Sequence, residues 1–157
     1  MNYKVDLQCD STHSSIPNLF QIQRWVSTIL SSRMPSAEVC IRVVDFEESQ
    51  QLNCDYRGKN KPTNVLSFPF TAPESITLDT PLLGDLIICA PLVAEEAQAQ
   101  HKEEIAHWAH LVIHGILHLL GYDHIEEKEA EIMEPIEIEL LAELGYANPY
   151  EAIDDHD

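Results

Sequence analysis

Apolar side chains recur along this chain at several different spacings, and each spacing predicts a different element. Val5, Leu7 and Cys9 alternate with polar neighbours, and Ala37 to Asp45 is rich in β-branched residues, so both stretches predict strands. Between them Leu19, Phe20, Ile22, Trp25, Val26, Ile29 and Leu30 return every three or four positions. That period predicts a helix over Pro17 to Arg33, capped by Ser15. Phe46 to Tyr56 predicts a shorter helix with Asp45 as its N-cap. A third strand is expected over Val65 to Phe70, and the continuous apolar run Leu82 to Ala90 reads as a central strand. Helix formers then continue from Pro91 to Gly121, with a break expected at Gln100 to Glu103. From Ile105 to Leu120 this helix is apolar almost all round, so it should be buried between layers. A last helix is expected over Glu126 to Leu144, kinked at Pro135, with Ile132, Met133, Ile136, Leu140, Leu141 and Leu144 inward and glutamates outward.

The order β-α-β-α-β-β-α-α predicts an α/β (α+β) fold, with a small mixed sheet of about four strands packed against helices. A chain of 157 residues, 45% of them apolar, is the size of one domain. We expect a single catalytic domain over residues 1–147 and a frayed acidic tail over 148–157. No apolar run approaches the roughly 20 residues that span a bilayer, and the N-terminus lacks the layout of a signal peptide. A cytoplasmic chain with no membrane partner is therefore expected. Cys9, Cys40, Cys54 and Cys89 are far apart with no C-x-x-C pair, which predicts reduced thiols, most of them in the core.

Charge narrows the function classes. Twenty-seven acidic against nine basic side chains give a net charge of -18, which excludes holding a polyanion by bulk charge. Residues 123–157 carry 13 acidic side chains and 1 basic one, so that end should face away from any polyanion. In the opposite sense, Arg57, Lys59 and Lys61 cluster in a loop whose Gly, Pro and Asn content disfavours regular structure. A guanidinium offers a planar fork to two phosphate oxygens, so this cluster is a candidate phosphate site.

The densest chemistry lies in His114-Gly-Ile-Leu-His118-Leu-Leu-Gly121-Tyr-Asp-His124. Residues four apart on a helix share a face, so His114 and His118 can present imidazoles to one ion. Gly121 then lets the helix end in a left-handed turn and bring His124 round as a third ligand. Three neutral imidazoles suit one Zn2+ per chain, with a fourth position left for water as in catalytic sites. About 0.02 matches to this spacing are expected by chance from 8 histidines in 157 residues. Metzincin peptidases share the histidine spacing and the glycine, but their general-base glutamate is replaced here by Gly115.

Together with Tyr56-Arg57, Pro62 to Phe68 and Leu83-Gly84-Asp85, the His114 to His124 segment resembles the bacterial YbeY family, over roughly Tyr3 to Tyr150. The resemblance implies a zinc-dependent endoribonuclease of rRNA maturation, with His114, His118 and His124 on zinc and Arg57 as the essential basic residue near it. It further implies single-strand specificity, late-stage ribosome quality control and 3′ maturation of 16S rRNA on the small ribosomal subunit. A ribosomal protein and an assembly GTPase would be its partners.

Other residues are weaker candidates. Lys59 and Lys61 could extend a positive path along RNA. His110 is either a ligand-supporting group or a satisfied core histidine, and His107 and His101 are expected to be exposed. Asp123 could orient an imidazole, and Asp85 either supports Arg57 or marks a bulge with Gly84. Trp25 and Trp108 are expected in the core. Two other functions fit some of these residues: a metallohydrolase acting on peptides or small molecules, and a non-catalytic ribosome-assembly factor with structural zinc. The second would need a closed fourth coordination position, for instance by His156.

Overall fold

The structure, a computed structural model, describes residues 2–13, 16–70, 82–122 and 127–150, leaving out the side chains of Asn2 and residues 127–130. Its elements are β1 (Asn2–Cys9), α1 (Leu19–Leu30), β2 (Ser36–Val44), α2 (Phe46–Arg57), β3 (Val65–Pro69), β4 (Leu82–Cys89), α3 (Ala90–Ala99), α4 (Glu104–Leu119) and α5 (Glu127–Leu144). The mixed α/β architecture is the one expected. The strands form one sheet in the order β1-β2-β4-β3. β1, β2 and β4 run parallel, whereas β3 returns antiparallel along β4.

One face of the sheet carries the main core. Val39, Ile41, Val43, Leu86 and Ile88 meet Trp25, Ile29, Trp108, Val112 and Ile116 there, and both tryptophans are buried as expected. α2 covers part of the other face, over a second cluster of Val44, Leu66 and Ile87. α4 packs on β3 and β4 and is surrounded by α1, α3 and α5, which accounts for its apolar circumference.

Several local expectations are corrected. α1 begins at Leu19 because Asn18 caps it, forming a reciprocal pair with Gln21; Ser15 lies outside the described residues. Asp45 occupies the N-cap position of α2 but makes no capping bond. Its carboxylate instead accepts from the Ser11 hydroxyl and from Thr12, tying the chain after β1 to the end of β2. The break after α3 is complete, and His101 adopts φ 55° within it. Cys89 is buried, but Cys40 is only half-buried and Cys9 and Cys54 are exposed. Cys40 alternates out of phase with the buried Val39 and Ile41, so the pleat turns it to the open face.

α5 departs most from its expected pattern. Ile132 is 58% exposed, whereas Glu137 is fully buried. Pro135 lies inside this helix. The chain expected to fray from Asn148 is packed through Tyr150: Lys102 donates to the Pro149 carbonyl, and the Tyr150 hydroxyl reaches Glu137. Among the described residues no helix is long and apolar enough to cross a membrane.

Candidate functional site

The second half of α4, β3 and the loop after α2 enclose a cleft of about 680 Å³, lined by residues that include Arg57, Asn64, Ser67, His114 and His118. Next to His114, one glycine lets α4 approach β3 and β4 closely. A Cβ at Gly115 would lie 2.7 Å from Leu86 Cδ2 and 3.4 Å from Ser67 Oγ, so a side chain there would have to displace the buried Leu86. Ser67 closes the same contact by donating to the Gly115 carbonyl at 3.2 Å. The position of the metzincin glutamate is thus a packing position here.

His114 and His118 lie one turn apart on the face this approach presents to the cleft, and their Nε2 atoms are 2.9 Å apart. Two imidazole lone pairs that close repel each other unless a proton or a cation lies between them. On its other side, His114 Nδ1 donates to Glu137 at 2.6 Å. That bond puts the proton on Nδ1 and leaves the Nε2 lone pair facing the cleft, the tautomer a metal ligand requires. The donor set therefore fits a divalent ion with an affinity for nitrogen. α4 ends as expected: Gly121 has φ 105°, with bonds from Gly121 N to the His118 carbonyl and from Tyr122 N to the Leu117 carbonyl. Asp123 and His124, which follow, lie outside the described residues.

Glu137 also accepts from His110 Nε2 at 3.0 Å and from the Tyr150 hydroxyl. Burial would raise its pKa, but these hydrogen bonds and that from His114 outweigh it and hold the carboxyl down at about 2. Burial pushes His110 down, against the pull of Glu137. His110, His114 and Glu137 bring one ligand atom each within 4.8 Å of one another, a group able to hold a metal ion. His110 and Glu137 do not line the cleft, and both Glu137 oxygens are engaged, so these two stand behind His114 and fix its orientation.

Arg57 is the last residue of α2, next to Gly58 in the left-handed conformation, and no described residue forms an ion pair with it. Its exposed side chain is free to meet an anion. The loop that follows is pinned by two buried polar residues of α2. Ser49 bonds both the carbonyl and the amide of Thr63, at 2.8 and 2.9 Å, and the Asn53 amide donates to the Lys61 carbonyl at 2.8 Å. Lys59 and Lys61 are exposed and outside the cleft lining. Asp85 is exposed on the open sheet face in register with Cys40 and forms no ion pair with Arg57. His101 is exposed, but His107 is only 4% exposed, because its Nε2 is bonded to Glu96 at 2.9 Å.

Sequence reasoning missed Glu137, Ser49, Asn53 and Glu96. A signal for Glu137 did exist: it falls four residues after Met133 and before Leu141, on the buried stripe of α5.

The family model described as "Endoribonuclease YbeY" matches residues 6–145. The solution structure of TM1509 from Thermotoga maritima shares the fold, with a TM-score of 0.58 and 24% identity, over 94% of this chain and 99% of that one. A match over so much of the chain, on a fold that joins an imidazole pair and an arginine in one cleft, means that this protein belongs to the YbeY endoribonuclease family.

Proposed function

We propose that this chain is a zinc-dependent endoribonuclease of single-stranded RNA that acts in the cytoplasm in late-stage ribosome quality control and in maturing the 3′ end of 16S rRNA. His114, His118 and His124 hold the zinc. The observation that carries the reading is that His114, His118 and Arg57 line one cleft. A zinc ion bound there supplies Lewis acidity to a phosphoryl oxygen and acidifies water. Arg57 binds the scissile phosphodiester through two guanidinium N–H groups and offsets the negative charge that grows on its oxygens as the bond to the leaving oxygen breaks. Ser49 and Asn53 keep the loop beyond Arg57 in place, so little ordering cost falls on binding. Lys59 and Lys61, on the loop next to Arg57, attract the strand as it leaves the cleft. A peptidase reading is weakened by Gly115, where packing leaves no room for a general base. With a net charge of -18 the intrinsic affinity for RNA is low, so the small ribosomal subunit, a ribosomal protein or an assembly GTPase delivers the substrate.

The test is cleavage of a defined single-stranded RNA by zinc-loaded wild type and Arg57→Ala, with zinc content measured in both. Arg57→Ala should keep its zinc and its fold while its rate falls about 10²–10³-fold, the cost of losing one preorganised transition-state contact. Lysine, which lacks the fork, should restore little of it. Cleavage by Arg57→Ala at the wild-type rate would remove the arginine from the chemistry.

A further inference from the structure

Half-buried Glu96 on α3 and buried His107 on α4 form an acid–base pair that the chemistry above does not use. His107 is 4% exposed, and its Nε2 bonds Glu96 Oε1 at 2.9 Å. The same oxygen accepts a 3.0 Å bond from the side-chain amide of Asn64, which lines the cleft with Arg57. Burial would raise the Glu96 pKa, but the hydrogen bonds from His107 and Asn64 prevail and hold it below the ordinary carboxylate value. Glu96 is therefore ionised at neutral pH, and an ionised carboxylate accepts only. That decides the orientation of the amide: the NH2 of Asn64 must face Glu96, and its Oδ1 is turned away from it. The backbone of Asn64 is fixed as well, because its carbonyl accepts from Cys89 N at 3.0 Å. Among the described residues, no donor reaches Asn64 Oδ1.

We propose that Asn64 is the residue that reads the sugar: its Oδ1 accepts a hydrogen bond from a ribose 2′-hydroxyl next to the phosphate held by Arg57, so that this cleft prefers RNA to DNA. The proposal rests on the endoribonuclease reading and deepens it. An uncharged acceptor in the same cleft as an arginine cannot bind a phosphate oxygen, since two acceptors repel. The 2′-hydroxyl is a donor attached one carbon from the phosphate-bearing 3′ position, whereas the base lies farther off. It is also the group by which a protein tells RNA from DNA at a given site. Glu96, with His107 behind it, is a positioning residue that acts through Asn64.

The experiment is a deoxy walk. Values of kcat/KM are measured on a single-stranded RNA oligonucleotide and on versions carrying one 2′-deoxynucleotide at successive positions on either side of the scissile nucleotide. The enzymes are wild type, Asn64→Ala, Glu96→Ala and Glu96→Gln, with folding followed by circular dichroism. For wild type, one position should lose about 5- to 10-fold on deoxy substitution, the worth of one hydrogen bond. Asn64→Ala should lose a similar factor on the all-ribose strand and show no deoxy effect at that position. Glu96→Ala should follow it in part. Glu96→Gln, whose amide oxygen can accept from both Asn64 and His107, should retain the discrimination, which a merely structural role for Glu96 would not require. A wild-type enzyme indifferent to every flanking 2′-hydroxyl overturns the proposal even if the variants fail to fold, as does a folded Asn64→Ala with an unchanged deoxy profile. If wild type leaves the all-ribose strand intact, the endoribonuclease reading itself fails and takes the proposal with it.

Discussion

Replacing Glu137 separates the act of holding a metal from the act of orienting its ligand. The residue is fully buried, and its two oxygens take up His110 Nε2, His114 Nδ1 and the Tyr150 hydroxyl. Glu137→Ala leaves these donors without an acceptor in a dry site and should cost about 3–5 kcal/mol, a large part of the stability of a domain this size. Glu137→Gln is the sharper tool, because it keeps the volume but has one acceptor oxygen where the carboxylate has two. If that oxygen stays with His110 and Tyr150, an NH2 faces His114 Nδ1. His114 must then move its proton to Nε2, the atom 2.9 Å from His118, and lose the lone pair an ion would use.

We expect Glu137→Gln to lower zinc affinity about 10–100-fold, as loss of a group that orients a ligand does elsewhere, and to cost about 1–3 kcal/mol in stability. Chelator competition gives the first value, and urea unfolding of the metal-free protein the second. Affinity within twofold of wild type would refute the orienting role. A different outcome would move the ion itself: if Glu137→Gln abolished binding while His118→Ala kept full zinc content, the metal would sit among His110, His114 and Glu137.

Two further predictions concern the frame around the site. Gly115→Ala adds a methyl 2.7 Å from Leu86 Cδ2, and Leu86 is fully buried with little room to give. Overpacking of about 1–3 kcal/mol should exceed the helix-propensity gain of about 1 kcal/mol, so the variant should unfold at lower urea than wild type; an equal or higher midpoint would refute this. Hydrogen bonds from the Ser11 hydroxyl and Thr12 hold Asp45 below the ordinary carboxylate value, so its stabilising effect is present above about pH 4 and is lost as pH falls through the folded value. Asp45→Asn should therefore cost about 0.5–1.5 kcal/mol at pH 7, at the lower end because solvent screens a group that is only half-buried, with the gap to wild type closing below about pH 4; a gap independent of pH in urea titrations would show that the charge is not involved.

Much of this architecture was legible because the apolar spacing in each element matches the geometry that buries it. The run Leu82 to Ala90 became a central strand, and the apolar circumference of α4 placed it between layers. The cleft was legible only from one side. His114, His118 and Arg57 carry recognisable chemistry at recognisable spacing, but the groups that hold them come from elsewhere in the chain. Glu137 reaches His114 from 23 residues away, and Glu96 reaches Asn64 from 32. A glutamate on an acidic helix reads as solvated, and nothing local distinguishes the one that turns inward; only its place on the stripe Met133, Glu137, Leu141 does so. Ser49 and Asn53 were obscured in the same way, as ordinary polar residues of a short helix whose partners are backbone groups of a loop without a pattern of its own.

The excess of acid in this chain acquires a purpose once its distribution is compared with the cleft. A negative protein repels a polyanion everywhere except where positive groups are concentrated, and here these are Arg57, Lys59 and Lys61 at the cleft and its rim. Counterion release scales with the number of phosphates neutralised, so a contact of three or four phosphates gives a shallow salt slope and weak binding at any one place. Such an enzyme gains little from an RNA strand that merely passes by. On the proposed reading it acts where a strand is held against it for other reasons, and there Arg57 would take the phosphate and Asn64 the sugar. Glu137 would add to this from behind: its buried charge would strengthen the hold of His114 on a cation without offering the RNA an exposed negative group.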